Sequence, residues 1–206
     1  MIRPPWDGVA FSERSDGDLR NDPVARDRAS SRLGLPPDWA EARQVHGNEV
    51  VRVEEPGPSG DADALWTSEH QLPLAMFTAD CLGVVLGSPG AVGVAHAGWR
   101  GAAGEVVGRL RDSMSRAGHP PVRAALGPGI GPCCFEVGSE VAEQFPGHLS
   151  RTTWGTTSVD LAAVVTVAVA GLDVWSCDAC TKHEDGWFSH RADATTQRMA
   201  AIGWLA

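Results

Sequence analysis

Tyrosine is absent from this chain of 206 residues, so no phenol is available as an acid or a nucleophile. No cluster of lysine and arginine appears either, and the formal net charge is −9. A protein that grips a phosphate backbone carries a basic stripe. Nucleic acid is therefore not an expected partner, although single arginines can still meet small anions. Long apolar runs are missing as well. Met1 to Asp7 has no apolar core of signal-peptide length, and the most apolar stretch, Leu161 to Leu172, contains Thr166 and Gly171 and is too short to cross a bilayer. Five cysteines cannot all pair within one chain, which favours thiols or metal ligands over a disulfide framework. The expectation is a cytoplasmic protein without membrane contact, a monomer or a small homo-oligomer.

What is present reads as one well-cored domain over residues 1–206, with 43% apolar and 21% charged residues. Three short segments stand out: Gln44-Val45-His46-Gly47, Thr78-Ala79-Asp80-Cys81 and Val94-Ala95-His96-Ala97-Gly98-Trp99-Arg100-Gly101. Each ends a strand-like run with a metal-binding side chain, at the kind of strand end where α/β proteins collect chemistry. Two imidazoles and one thiolate suit zinc or a related borderline metal, with a fourth position open.

Periodicity predicts helices over 22–32, with Asp22 as N-cap and Pro23 at the first position, over 100–117, over 137–145, and over 161–170 capped by Asp160. Strands are expected over 49–54, 74–78, 82–86, 91–95, 122–126, 172–176 and 187–190, with another ending near His46. Residues 56–60 and 127–132 read as loops. The fold class is α/β (α+β), mixed β-sheets covered by helices.

In order along the chain, QVHG at 44–47, DADALWT at 61–67, TADCLGVVL at 78–86, VAHAGWRG at 94–101, LGPGIGPCCFEVG at 126–138, CT at 180–181 and FSHR at 188–191 resemble the motifs of the bacterial YfiH-like proteins. That family has been named multicopper polyphenol oxidoreductase (laccase) and is associated with purine nucleoside metabolism. Three departures are visible. The start is shortened around Phe11 to Asn21, so residues 1–40 form a reduced N-terminal segment before a motif-bearing core over 41–206. Gly83 stands where the family has proline, and Ala192 replaces a second arginine.

The resemblance implies that His46, Cys81 and His96 bind zinc, copper being the alternative carried by the laccase name. It implies phosphorolysis of adenosine, inosine, guanosine and methylthioadenosine, with deamination of adenosine as a further activity. Purine nucleoside and phosphate are then the partners. Multicopper oxidation uses many histidines, often in His-x-His pairs; seven histidines without one such pair fit a redox-inert centre better. Cys81, Asp80 and Asp63 are the catalytic candidates. Asp80 is read as a proton carrier or as an acceptor of backbone hydrogen bonds in its turn, and Asp63 as a carboxylate orienting a ligand histidine or as a turn-former. Arg100, Arg191, His190 and Arg43 are the candidates for substrate and phosphate, Arg100 because it follows His96 near a predicted helix start.

Cys133-Cys134 are adjacent and are expected to pack under their loop. Cys177 and Cys180 have metal or redox spacing but no partner pair. His70, His119, His148 and His183 are expected to face solvent. Family members are also linked to removing wrongly placed serine from cell-wall precursors, so an amidase acting on UDP-muramoyl-amino-acid substrates is the competing enzyme reading. A copper oxidase and a non-catalytic metal-binding protein are the remaining ones.

Overall fold

The computed structural model describes residues 1–205. The chain begins with β1 (Val9–Phe11) and α1 (Pro23–Leu33). Asp22 accepts from the Val24 and Ala25 amides at the start of α1, a cap worth about 1 kcal/mol. Gly34 ends that helix at φ 70°, a left-handed turn that glycine adopts without strain. Seven strands follow: β2 (Ala40–Arg43), β3 (Val50–Arg52), β4 (Gly57–Asp61), β5 (Ala64–Thr67), β6 (Leu74–Thr78), β7 (Leu82–Ser88) and β8 (Ala91–Ala97). Next come α2 (Trp99–Ala103), α3 (Val106–Arg116), β9 (Arg123–Leu126), α4 (Ser139–Ala142), β10 (Leu149–Arg151) and β11 (Thr157–Val159). The described chain closes with α5 (Leu161–Ala168), β12 (Asp173–Ser176), α6 (His190–Asp193) and β13 (Met199–Gly203).

Two mixed sheets form the centre. One has the order β1-β13-β6-β2-β4 and the other β12-β9-β7-β8-β5-β3, while β10 and β11 pair separately. Leu74 and Met76 of the first sheet share a buried cluster with Leu65, Val85, Val92 and Val94 of the second, so the sheets pack face to face. The outer face of the first sheet is covered by α1, through Ala25 and Ala29 packed with Phe77 and Ile202. The outer face of the second lies under α3 and α5, through Leu110, Met114, Leu161 and Val165. The architecture is the mixed α/β arrangement the pattern implied, and β1 and α1 draw the N-terminal segment into the same layers.

Several boundaries differ from the periodicity reading. Residues 57–61 are a strand, not a loop; β4 pairs in parallel with β2, and an edge position tolerates Pro58. The helix expected over 100–117 is two helices, broken where Glu105 takes φ 60° after Gly104. The helix expected over 137–145 is one turn, Ser139–Ala142. Residues 187–190 are not a strand: Ser189 caps α6 by accepting from the Ala192 amide. The strand β13, which lies between β1 and β6, and the β10-β11 hairpin were not foreseen. Among the described residues, no helix is long and apolar enough to cross a membrane.

Candidate metal centre and cleft

Antiparallel pairing of β7 with β8 sets Leu82 opposite Ala97 and Gly83 opposite His96, so Cys81 at the start of one strand meets His96 at the end of the other. His46 arrives from the loop after β2 at φ 59°. The ligating atoms of His46, Cys81 and His96 lie within 4.8 Å of one another, and the two rings meet edge-on with centroids 4.8 Å apart. Gly98 closes the group from beside. A Cβ there would stand 2.9 Å from the Cys81 sulfur and 3.2 Å from the His46 ring, so only glycine fits.

Asp63, fully buried between β4 and β5, organises the donors. One oxygen lies 2.8 Å from Nδ1 of His96 and accepts from the His46 amide, while the other accepts from the Val45 and Gly47 amides. The His96 bond directs the other ring nitrogen toward the cluster, the usual arrangement behind a ligand histidine. Electrostatics follow the geometry. Burial raises the Asp63 carboxyl, but the His96 bond, the Gly47 amide and the His96 charge outweigh it and hold the group below its ordinary value. Burial likewise pushes the Cys81 thiol up, yet hydrogen bonds and charge from His46 and His96 bring it down to about 6. His96 is depressed by burial but raised to about 9 by Asp63 and Cys81. A thiolate and two imidazoles, one of them backed by a carboxylate, suit a borderline transition metal.

The triad opens into a cleft of about 340 Å³, lined among others by Gln44, Phe77, Asp80, Trp99, Ile130, Phe135 and His190. A larger cavity of about 540 Å³ lies between α3 and α5, lined by residues such as Val106, Gln144 and Val164, and it contains none of these donors. Asp80 sits in the left-handed region at φ 87°, a strained backbone that only surrounding contacts can hold. Those contacts are visible: Oδ1 accepts from the Thr181 and Ser189 hydroxyls, each at 2.7 Å, and Oδ2 accepts from the Arg191 amide at 2.6 Å. All three bonds run toward the carboxylate, and they bind the C-terminal segment to the β6-β7 turn.

Arg100 and Arg191 both line the cleft. The helix that Arg100 enters, α2, has only five residues, so this side chain brings its own charge more than a helix-end field. Its guanidinium lies 4.1 Å from the Trp99 ring centre. Arg191 lies over Phe135 at 5.5 Å and donates to the Glu136 carbonyl. Arg43 points elsewhere: both guanidinium arms go to the Asp61 carboxylate, and it does not line the cleft.

Two lining arginines escaped the sequence reading. Arg20 comes from the N-terminal segment and Arg198 from just before β13. Asp18 joins them by accepting from both of their amides. The available signal was Asp18 itself, an Asx-turn residue before an arginine. Gly83 also finds its reason. A Cβ there would lie 2.5 Å from that of Ala201, so the second sheet approaches β13 too closely for a side chain in this place.

The family described as multi-copper polyphenol oxidoreductase laccase matches residues 2–206. The chain is 39% identical to the protein named purine nucleoside phosphorylase ORF3 of Streptomyces griseus, over 97% of this chain and 91% of that one. It is 38% identical to a purine nucleoside phosphorylase of Deinococcus radiodurans, over 96% and 82% of the two chains. Among solved structures it resembles YlmD from Geobacillus stearothermophilus with a TM-score of 0.85 and 28% identity, over 99% and 94% of the chains. The hypothetical protein YfiH of Bacillus licheniformis gives the same TM-score at 26% identity, over 96% and 92%.

Proposed function

The chain belongs to the multi-copper polyphenol oxidoreductase laccase family, and from that premise we propose that it is a metal-dependent purine nucleoside phosphorylase. The observation that carries the reading is one cleft combining a carboxylate-backed His46-Cys81-His96 triad, aromatic walls and four arginines, Arg20, Arg100, Arg191 and Arg198. The curated relatives named for this activity match across nearly the whole chain.

Phosphorolysis breaks the bond between ribose C1′ and the purine nitrogen while a phosphate oxygen bonds to C1′. The chain must therefore hold an anion near the sugar and steady the charge left on the base. The arginines supply the anion site, and Phe77, Trp99 and Phe135 supply apolar surface for the purine. His190, exposed at the cleft, is a candidate to pass a proton to the departing base. Asp80 keeps the Arg191 amide and the 181–191 segment in place; three donors occupy it, two on Oδ1 and one on Oδ2, so a proton would have only the remaining site on Oδ2. Asp63 holds the triad in register.

The metal assigned to His46, Cys81 and His96 is zinc, because three nitrogen and sulfur donors with an open position match a catalytic zinc site and the chain has no His-x-His pair of the kind multicopper centres use. Bound there, zinc supplies a Lewis acid at the edge of the cleft. The same centre is assigned hydrolytic deamination of adenosine as a side activity. A reducing, cytoplasmic setting suits the five unpaired thiols.

Incubation of metal-analysed protein with adenosine, with and without phosphate, tests the reading. Adenine formed only with phosphate is the expected result, and inosine in either tube marks deamination. Adenosine intact in both tubes would sink the nucleoside reading. Turnover of a UDP-muramoyl-amino-acid substrate by the same preparation would then install the amidase in its place.

A further inference from the structure

A second group of soft donors lies outside the cleft. The ligating atoms of Cys133, Cys134 and His183 are within 4.8 Å of one another. None of the three lines the cleft described above. Cys180 borders this group without meeting the same 4.8 Å spacing: its sulfur accepts from the Gly131 amide at 3.2 Å, and a Cβ placed on Gly131 would touch Cys180 and Cys133 sulfurs alike, at 3.5 and 3.4 Å.

We propose that Cys133, Cys134 and His183 hold a structural zinc ion, with the bordering Cys180 thiol drawn in as the fourth ligand, and that this site ties the 127–135 loop to the turn at 180–184. Three observations carry this. First, the Cys133 and Cys134 sulfurs are 3.6 Å apart. Two thiolates on one tetrahedral zinc, each at about 2.3 Å, stand about 3.8 Å apart. Adjacent cysteines seldom chelate one ion because their side chains diverge, and here they converge. Second, Cys180 and His183 are three residues apart on a closed turn. The His183 and Glu184 amides donate to the Cys180 carbonyl, and the Glu184 side chain accepts from the Cys180 amide. That is the short spacing by which a turn offers two ligands to one ion. Third, burial is graded. Cys134 and Cys180 are buried and His183 is exposed, which gives an interior donor set with a path from solvent. Three sulfurs and an imidazole select zinc over magnesium or calcium, and a site with four protein ligands holds no open position for a substrate.

The two segments joined this way both reach the cleft. The loop carries Ile130 and Phe135, and the turn leads through Thr181 to Ser189 and Arg191, which Asp80 holds.

The test uses the reduced full-length Cys81→Ala protein, which lacks the thiolate of the first centre. After removal of metal by a chelator, zinc is titrated against a chromophoric competitor and bound metal is measured. One tight equivalent is expected to remain. His183→Ala, exposed and safe for the fold, should weaken it by at least the roughly 10-fold that loss of even an outer partner costs. Cys133→Ser should do the same, and should weaken the thiolate-to-cobalt absorption when cobalt replaces zinc. A Cys81→Ala protein that binds no zinc overturns the site. So does zinc affinity unchanged by both added substitutions, and an effect of Cys133→Ser without one of His183→Ala overturns the four-ligand assignment. No readout involves nucleoside turnover, so failure here is separate from failure of the phosphorylase reading.

Discussion

His96 and His183 are both imidazoles set beside thiols, but their surroundings differ. His96 is buried against the Asp63 carboxylate, at the end of a central strand, and faces a cleft ringed by arginines. His183 is exposed on a turn, beside sulfurs and away from that cleft. Donor identity alone does not separate the two groups. The backing carboxylate, the open side and the nearby arginines do, and they are the features expected of a reactive centre rather than a structural one.

Removing one donor from each group is the strongest way to break this comparison. Cys81→Ala should lower kcat/KM for adenosine phosphorolysis by more than about 100-fold, beyond what loss of an outer-shell partner costs. Steady-state kinetics with metal analysis checks it, and full activity in this variant would remove the triad from the mechanism. Next in size is Asp63→Asn, which keeps the shape but not the charge. Metal affinity at the triad should fall about 10–100-fold, measured by competition with a chelator.

Arg198→Ala should raise KM for phosphate about 10-fold, the scale of one charge-assisted hydrogen bond, with less effect on KM for the nucleoside. An unchanged phosphate KM would take Arg198 out of the anion site. A smaller effect separates the two thiol environments by pH. In metal-free protein Cys81, with its pKa brought to about 6, becomes thiolate as pH rises through that value, so its alkylation by iodoacetamide should be half-maximal near pH 6. Burial and neighbouring thiols push Cys133 up to about 12, so it should stay unreactive across that range. In Asp63→Asn, His96 loses a partner that keeps it charged, and the Cys81 midpoint should move upward. Peptide mapping of alkylated sites gives both numbers, and equal reactivity of Cys81 and Cys133 at pH 7 would erase the distinction.

The triad was legible because each donor ends a recognisable apolar run and sits in a quotable motif. The α1 cap, the buried strands β6 to β8 and the Asp160 cap of α5 were legible for local reasons: a capping side chain or a short apolar run. Information carried only by tertiary contact was hidden. Met199–Gly203 is short and follows a polar stretch, and its place between β1 and β6 comes from long-range pairing. Arg20 and Arg198 are 178 positions apart and meet the cleft only once Asp18 ties their turns together. The convergence of Cys133 with His183 escaped for the same reason, since the polar surroundings of His183 suggested only solvent.

The three donors on Asp80 come from residues 101 to 111 positions further along the chain. At roughly 5–20 residues per second of synthesis, that is a delay of about 5–20 s. His46 is made before it begins and Cys81 and His96 early within it, while Thr181, Ser189 and Arg191 are made only at its end. A ribosome-bound chain can thus assemble its metal donors while half the cleft wall is still unwritten, and an arrest in that interval would leave a nascent chain able to capture metal but not substrate.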